Sequence, residues 1–203
     1  MKYKLNLSPK LNVSAPPVTG AGVATTVPFA AWQPSTWPAA PAAVDTNFIQ
    51  TLKGIFEEAI LGEISNVVSD AHKSNGDLRH RGHVVAISMM CVLDAIASYG
   101  YKGHHVSSFI KVHFPADYRP HADKICRLYR NSLVHSWNLF GAAVYPDKTA
   151  IGLESGTLVF GLLNFFEALV QATGGFLEDL ETDAALQANT LLRYKKLRKT
   201  AKP

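Results

Sequence analysis

An all-α domain, organised as a four-helix-bundle-like fold with an accessory short helix, follows from three observations on this chain. Apolar residues recur at spacings of three and four through several long segments, and turn-forming residues separate those segments. Of the 203 residues, 47% are apolar and 18% charged, the balance of a chain that folds around one core rather than staying disordered.

Residues 1–44 stand apart. Pro16, Pro17, Pro28, Pro34, Pro38 and Pro41 recur among Ala, Thr and Val with little charge and no helical period, which describes a flexible or extended arm. Trp32 and Trp37 are large aromatics for such an arm and offer it a way to dock on the domain or on a partner subunit. The folded unit is expected over residues 45–199. It opens at Asp45 or Thr46, both good N-caps, and Phe48, Leu52, Ile55, Phe56, Ala59, Ile60, Ile64 and Val67 then mark one long amphipathic helix ending near Ser74-Asn75-Gly76. From about Gly82 to Tyr99 the chain is apolar on nearly every side, as a central buried helix is. A short helix follows from His105 to His113, closed by Pro115, and another long helix runs from about Pro120 to Phe140.

Residues 142–157 change character. Val144-Tyr145-Pro146-Asp147-Lys148 and Thr149-Ala150-Ile151-Gly152 read as two short extended runs about a Pro-Asp turn, a small hairpin or an ordered loop. Val159, Leu162, Leu163, Phe166, Leu169 and Val170 define the next core-facing helix, with Gly174-Gly175 as its stop. A last helix begins around Phe176 or Asp183 and ends near Lys199 in a basic cluster.

Charge is unevenly placed. Residues 193–203 carry a formal +6 and residues 1–45 carry +2, so residues 46–192 carry −4 within the overall +4. The tail, with Lys195, Lys196 and Arg198, is therefore the stretch suited to an RNA backbone, and Arg127 is a further candidate phosphate contact. Cys91 and Cys126 lie in apolar helical segments without the paired spacing of a metal or redox site, and read as buried thiols of a reducing compartment. The first residues lack an apolar run of secretory length, and Asp94 and Glu167 interrupt the most apolar stretches. A soluble cytoplasmic protein with no membrane partner is expected. His80, His83, His104, His105, His113 and His121 match no metal-ligand spacing, so neither a metal nor another cofactor is expected. Asp94, inside the most apolar helix, demands a buried partner or a polar pocket.

The residues with the most specific chemistry are Arg130-Asn131-Ser132-Leu133-Val134-His135. On a helix over residues 119–140, Ile125, Cys126, Leu128, Tyr129, Leu133 and Phe140 form an apolar arc, opposite Lys124, Arg127, Arg130, Asn131, His135 and Asn138. Asn131 and His135, four apart, lie on one side, and Arg130 flanks them with a side chain long enough to reach across. Metal-free cleavage of RNA needs a group to take the 2′-hydroxyl proton, a group to protonate the leaving oxygen, and fixed positive charge on the transition state. His135 suits one proton transfer, Arg130 the fixed charge, and Asn131 the orientation of either histidine or phosphate. One histidine does not easily serve both proton steps, and a two-fold dimer would supply a second.

An arginine with a polar residue after it and a histidine four residues beyond, late in a helical bundle, resembles the HEPN superfamily pattern, in which histidine follows arginine after four to six residues. The resemblance spans residues 46 to about 195 and implies a helical bundle, usually homodimeric, whose two motif helices share one cleft. For active members it implies metal-independent endoribonuclease activity, in toxin–antitoxin, phage-defence or RNA-processing systems, with Arg130, Asn131 and His135 at the catalytic positions. An antitoxin or defence-system partner would accompany such a role. Trp137 stands where many toxins of the family carry tyrosine, and it has no hydroxyl to accept a modifying group. Two other classes fit the same sequence: a non-catalytic dimerisation or RNA-binding module of this fold, and a helical adaptor that recruits a partner through its arm.

Overall fold

A computed structural model describes residues 45–73, 78–102, 105–128, 142–145 and 151–200, and these are mostly helical. Helix α1, Thr46–Gly54, begins where Asp45 caps it: the Asp45 carboxylate accepts from the Phe48 N–H at 3.0 Å. The chain continues without a break through a π-helical stretch, Ile55–Leu61, into α2, Gly62–Lys73. The sequence period anticipates the long helix but not its wider turn. A Cβ on Gly62 would lie 2.6 Å from the Glu57 carbonyl oxygen, so the residue that ends the π stretch has room only for hydrogen.

Helix α3, Leu78–Gly100, runs through the core, burying Val85, Ala86, Met89, Met90, Leu93, Ile96 and Ala97. Its other side is open, with Val84 and Cys91 exposed. This corrects the expectation of two buried thiols: Cys126 is buried, whereas Cys91 falls on the face of α3 left uncovered beside α2. Helix α4, His105–His113, is followed by a 3-10 turn, Arg119–His121, and by α5, Ala122–Arg127. Ile125, Cys126 and Leu128 face the core and Arg127 faces solvent, which is the division the helical wheel anticipates.

Three strands follow, β1 (Ala142–Tyr145), β2 (Gly152–Glu154) and β3 (Thr157–Gly161), in the order β1-β3-β2. The expected Pro146-Asp147 turn lies outside the described residues, and a small hairpin begins within the expected region 142–157. β1 runs parallel to β3, with Val144 opposite Phe160, and the hairpin joins β2 to β3 through Ser155-Gly156, whose φ values of 49° and 80° make a tight two-residue turn. Leu158, Val159 and Phe160 are all buried, so this run is a central strand covered on both faces, and Val159 belongs to it rather than to the next helix.

β3 passes directly into α6, Leu162–Thr182, and Asp183 then caps α7, Ala184–Thr200, accepting from the N–H groups of Ala185 and Leu186 at 2.9 Å each. Gly174-Gly175 does not stop α6. Phe176, Leu177 and Leu180 beyond it are wholly buried, and Phe176 packs against Phe56 of the π stretch and against Phe109 and His113 of α4, a gain that outweighs the weak helix propensity of two glycines. The first and last segments are joined at Gln187, whose side-chain oxygen accepts from the Asp45 N–H at 2.9 Å. No single helix among the described residues is long and apolar enough to cross a membrane.

Gly100, the last residue of α3, touches this aromatic cluster: a Cβ there would lie 2.6 Å from the Phe176 ring. Because Phe176 is enclosed it has nowhere to move, and Gly100→Ala is expected to lower stability by about 1–3 kcal/mol. A Cβ on Gly54, in α1, meets nothing within 4 Å. Gly54→Ala is therefore expected to raise stability by about 0.5–1 kcal/mol. Urea unfolding of the two variants checks the contrast, and equal effects would contradict it.

Candidate functional site

Arg130, Asn131, His135 and Trp137 lie outside the described residues. The structure describes the segment that leads into them. Helix α5 is pinned on two sides: Ser107 Oγ donates to Asp123 Oδ1, Lys111 Nζ lies 2.9 Å from Asp123 Oδ2, and Lys124 Nζ donates to the Gly156 carbonyl in the hairpin turn. The Ser107 hydrogen bond and then the Lys111 ammonium hold the Asp123 carboxyl below its ordinary range. Arg119 Nε donates to the Phe114 carbonyl at 2.9 Å and steadies the turn before α5. Arg127, the candidate phosphate contact, is exposed, and its Nε bonds the Asp123 carbonyl at 3.4 Å.

Of the basic tail, Lys195 and Lys196 are exposed on α7, and Arg198 lies within the same helix. Lys196 also lines a cleft of about 420 Å³ at the junction of α3, α4 and α7, together with Tyr99, Tyr101, Lys102, His105, Asn189 and Arg193. Sequence reasoning counted Arg193 only as part of the basic end. Its signal was the spacing of Asn189, Arg193 and Lys196, four and three apart and thus on one helix face.

Two histidines find local partners. His105 Nε2 lies 2.7 Å from Asp94 Oδ1, which supplies the partner that a carboxylate in an apolar helix requires. His113 is enclosed between the rings of Phe109 and Phe176, centroids 4.8 and 5.5 Å away, with its side chain 2% exposed. Burial, reinforced by the Arg119 guanidinium, pushes its pKa down to about 3, so at neutral pH it is uncharged. The Tyr101 hydroxyl, whose own pKa burial raises, shares a hydrogen bond with His113 Nε2 at 2.7 Å. His113 Nδ1 lies 3.4 Å from Asp179 Oδ2. Burial raises the Asp179 carboxyl to about 6, with Asp183 and Glu178 adding to the effect. Among the described residues no group of three His, Cys, Asp or Glu side chains is placed to hold a metal ion.

No family model, curated protein or solved structure matches the chain.

The Tyr101–His113–Asp179 line makes stability depend on pH in two opposed ways. Between 6.5 and about 3 the unfolded chain binds a proton at His113 that the folded chain refuses, so this residue stabilises the fold fully above pH 6.5 and progressively less as pH falls towards 3. Asp179 acts oppositely, because its folded carboxyl takes its proton near 6, above the unfolded value of 3.8, and acidification through that interval favours the fold. Unfolding free energies measured across these intervals should lose less on acidification in His113→Phe and more in Asp179→Asn. Identical pH slopes in wild type and His113→Phe would remove His113 as an acid-sensitive group.

Proposed function

We propose that this chain is a metal-independent endoribonuclease of the HEPN type, acting as a homodimer in which two copies of the segment 130–135 share one cleft. The observation that carries the reading is the sequence Arg130-Asn131 followed by His135, which a helical period would set on one polar face. The mostly helical architecture, the exposure of Arg127 and the burial of Ile125, Cys126 and Leu128 are compatible with it.

In this reading the substrate 2′-oxygen attacks the adjacent phosphorus as its proton passes to a base, the bond from phosphorus to the 5′-oxygen breaks, and the departing oxygen takes a proton. His135 of one subunit performs one transfer and its mate across the dimer axis the other. Arg130 holds the phosphate oxygens as negative charge builds on them, and Asn131 orients the imidazole or the phosphate. Lys195, Lys196 and Arg198 add backbone affinity that salt weakens. A cytoplasmic setting and an antitoxin or defence-system partner go with this role. The runner-up is a non-catalytic helical dimerisation or RNA-binding module, which would bind RNA without turnover.

Cleavage of a labelled RNA in EDTA by wild type, Arg130→Ala and His135→Ala decides between them. Each variant is expected to lose activity by about 100-fold or more while retaining its fold and its RNA binding. Cleavage that is unchanged in both variants, or absent from every wild-type preparation, would overturn the nuclease reading.

A further inference from the structure

The π stretch and α2 leave an open groove of about 420 Å³ against α3. Ile60, Ile64 and Val67 line one wall, and Ile87, Cys91 and Val92 line the other. Val67 is 41% exposed, and Val84, 47% exposed, continues the α3 wall one turn before Ser88 and two before Cys91. Ser88 turns its hydroxyl to the Val84 carbonyl at 2.8 Å, so Glu63 is the one charged group in the lining among the described residues. Apolar side chains held against water along two helix faces make a surface that association would bury.

A matching occupant precedes α1 in the same chain. From Leu11 to Val44 there is no Asp, Glu, Lys, Arg or His, and Trp32 and Trp37 stand in this uncharged run beside Pro34, Pro38 and Pro41. Such a segment enters an apolar groove with no ion to desolvate. Its indoles bring large apolar area, and its prolines reduce the freedom lost on docking.

Its length also fits. The segment joins the fold at Asp45, and α1, the π stretch and α2 follow without a break, so Ala59 and Val67, fourteen and twenty-two positions on, lie at most about 21 and 33 Å away. Folding back at about 3.3 Å per residue, the eight positions to Trp37 reach about 26 Å and the thirteen to Trp32 about 43 Å. Trp37 can thus meet the near end of the groove and Trp32 its far end. Attachment to α1 also supplies the segment at a local concentration of millimolar order, which favours it over a free partner.

We propose that residues 32–37 dock in the groove of their own chain, with Trp37 against Ala59 and Ile60 and Trp32 towards Val67. Docked there, the indoles cover Cys91. This contact is independent of the nuclease reading.

The chain has two cysteines, and with Cys126 buried, Cys91, exposed among the described residues, is the thiol that reports on the groove. Maleimide labelling of the native full chain, assigned by peptide mass, is expected to be about three-fold or more faster at Cys91 in Trp32→Ala/Trp37→Ala and in Val67→Asp than in wild type. The Val67 side chain lies at the surface, so its replacement reads the groove without emptying the core. In Thr36→Cys, mild oxidation is expected to give an intrachain disulfide between position 36 and Cys91, which adding Val67→Asp abolishes. Wild-type labelling rates in either groove variant, or failure of the 36–91 disulfide to form, overturns the proposal. A disulfide joining two chains overturns it as well, and assigns the groove to the arm of a second copy.

Discussion

Phe176 is the residue on which the rest of the architecture depends. Its ring meets Phe56 of the π stretch, Phe109 and His113 of α4, and the Cα of Gly100 at the end of α3, so one side chain of α6 fixes three other segments. Such a buried aromatic contributes on the order of a few kcal/mol through the apolar surface it removes from water, and ring pairs at these separations add to it. Because neighbouring rings enclose it on several sides, small changes in volume around it are poorly tolerated. The same cluster encloses His113 and thereby couples the core to pH, since an imidazole among phenyl rings keeps its neutral form.

From that hub the candidate surfaces are placed at second hand. Helix α4 carries Ser107 and Lys111, which grip Asp123 at the start of α5. Helix α3 ends at Gly100 against Phe176 and delivers Tyr99, Tyr101 and Lys102 to the cleft at its junction with α4 and α7, where α7 supplies Asn189, Arg193 and Lys196. Helix α7 is itself held at Gln187, which binds the backbone at Asp45, so the start of the folded unit and its last helix are positioned together.

Much of the helical layout was legible in the sequence because amphipathic periodicity and caps are local signals. Asp45 caps α1, α4 spans His105–His113 as its closing Pro115 suggests, and the polar Asp94 has the partner its apolar surroundings demand. What escaped depends on distant packing. Gly174-Gly175 reads as a stop, yet the burial of Phe176, Leu177 and Leu180 carries the helix through it. Val159 reads as the first turn of a helix, yet pairing on both sides makes it the middle of a central strand. Cys91 reads as core, yet is exposed in the open groove that α3 forms with the π stretch and α2. The motif from Arg130 to His135 is visible as spacing alone, whereas the cleft around Arg193 needed residues about ninety positions apart to be brought together.

The proposed catalytic centre is one site made by two subunits, and mixed dimers interrogate that directly. A dimer of one wild-type chain and one chain carrying Arg130→Ala and His135→Ala, isolated with two different affinity tags, has its RNA cleavage rate compared with that of the wild-type homodimer. A shared site predicts activity far below half of wild type, because each cleft then lacks one histidine and one arginine. Half the wild-type rate would mean that each subunit cleaves alone, and would contradict the shared centre.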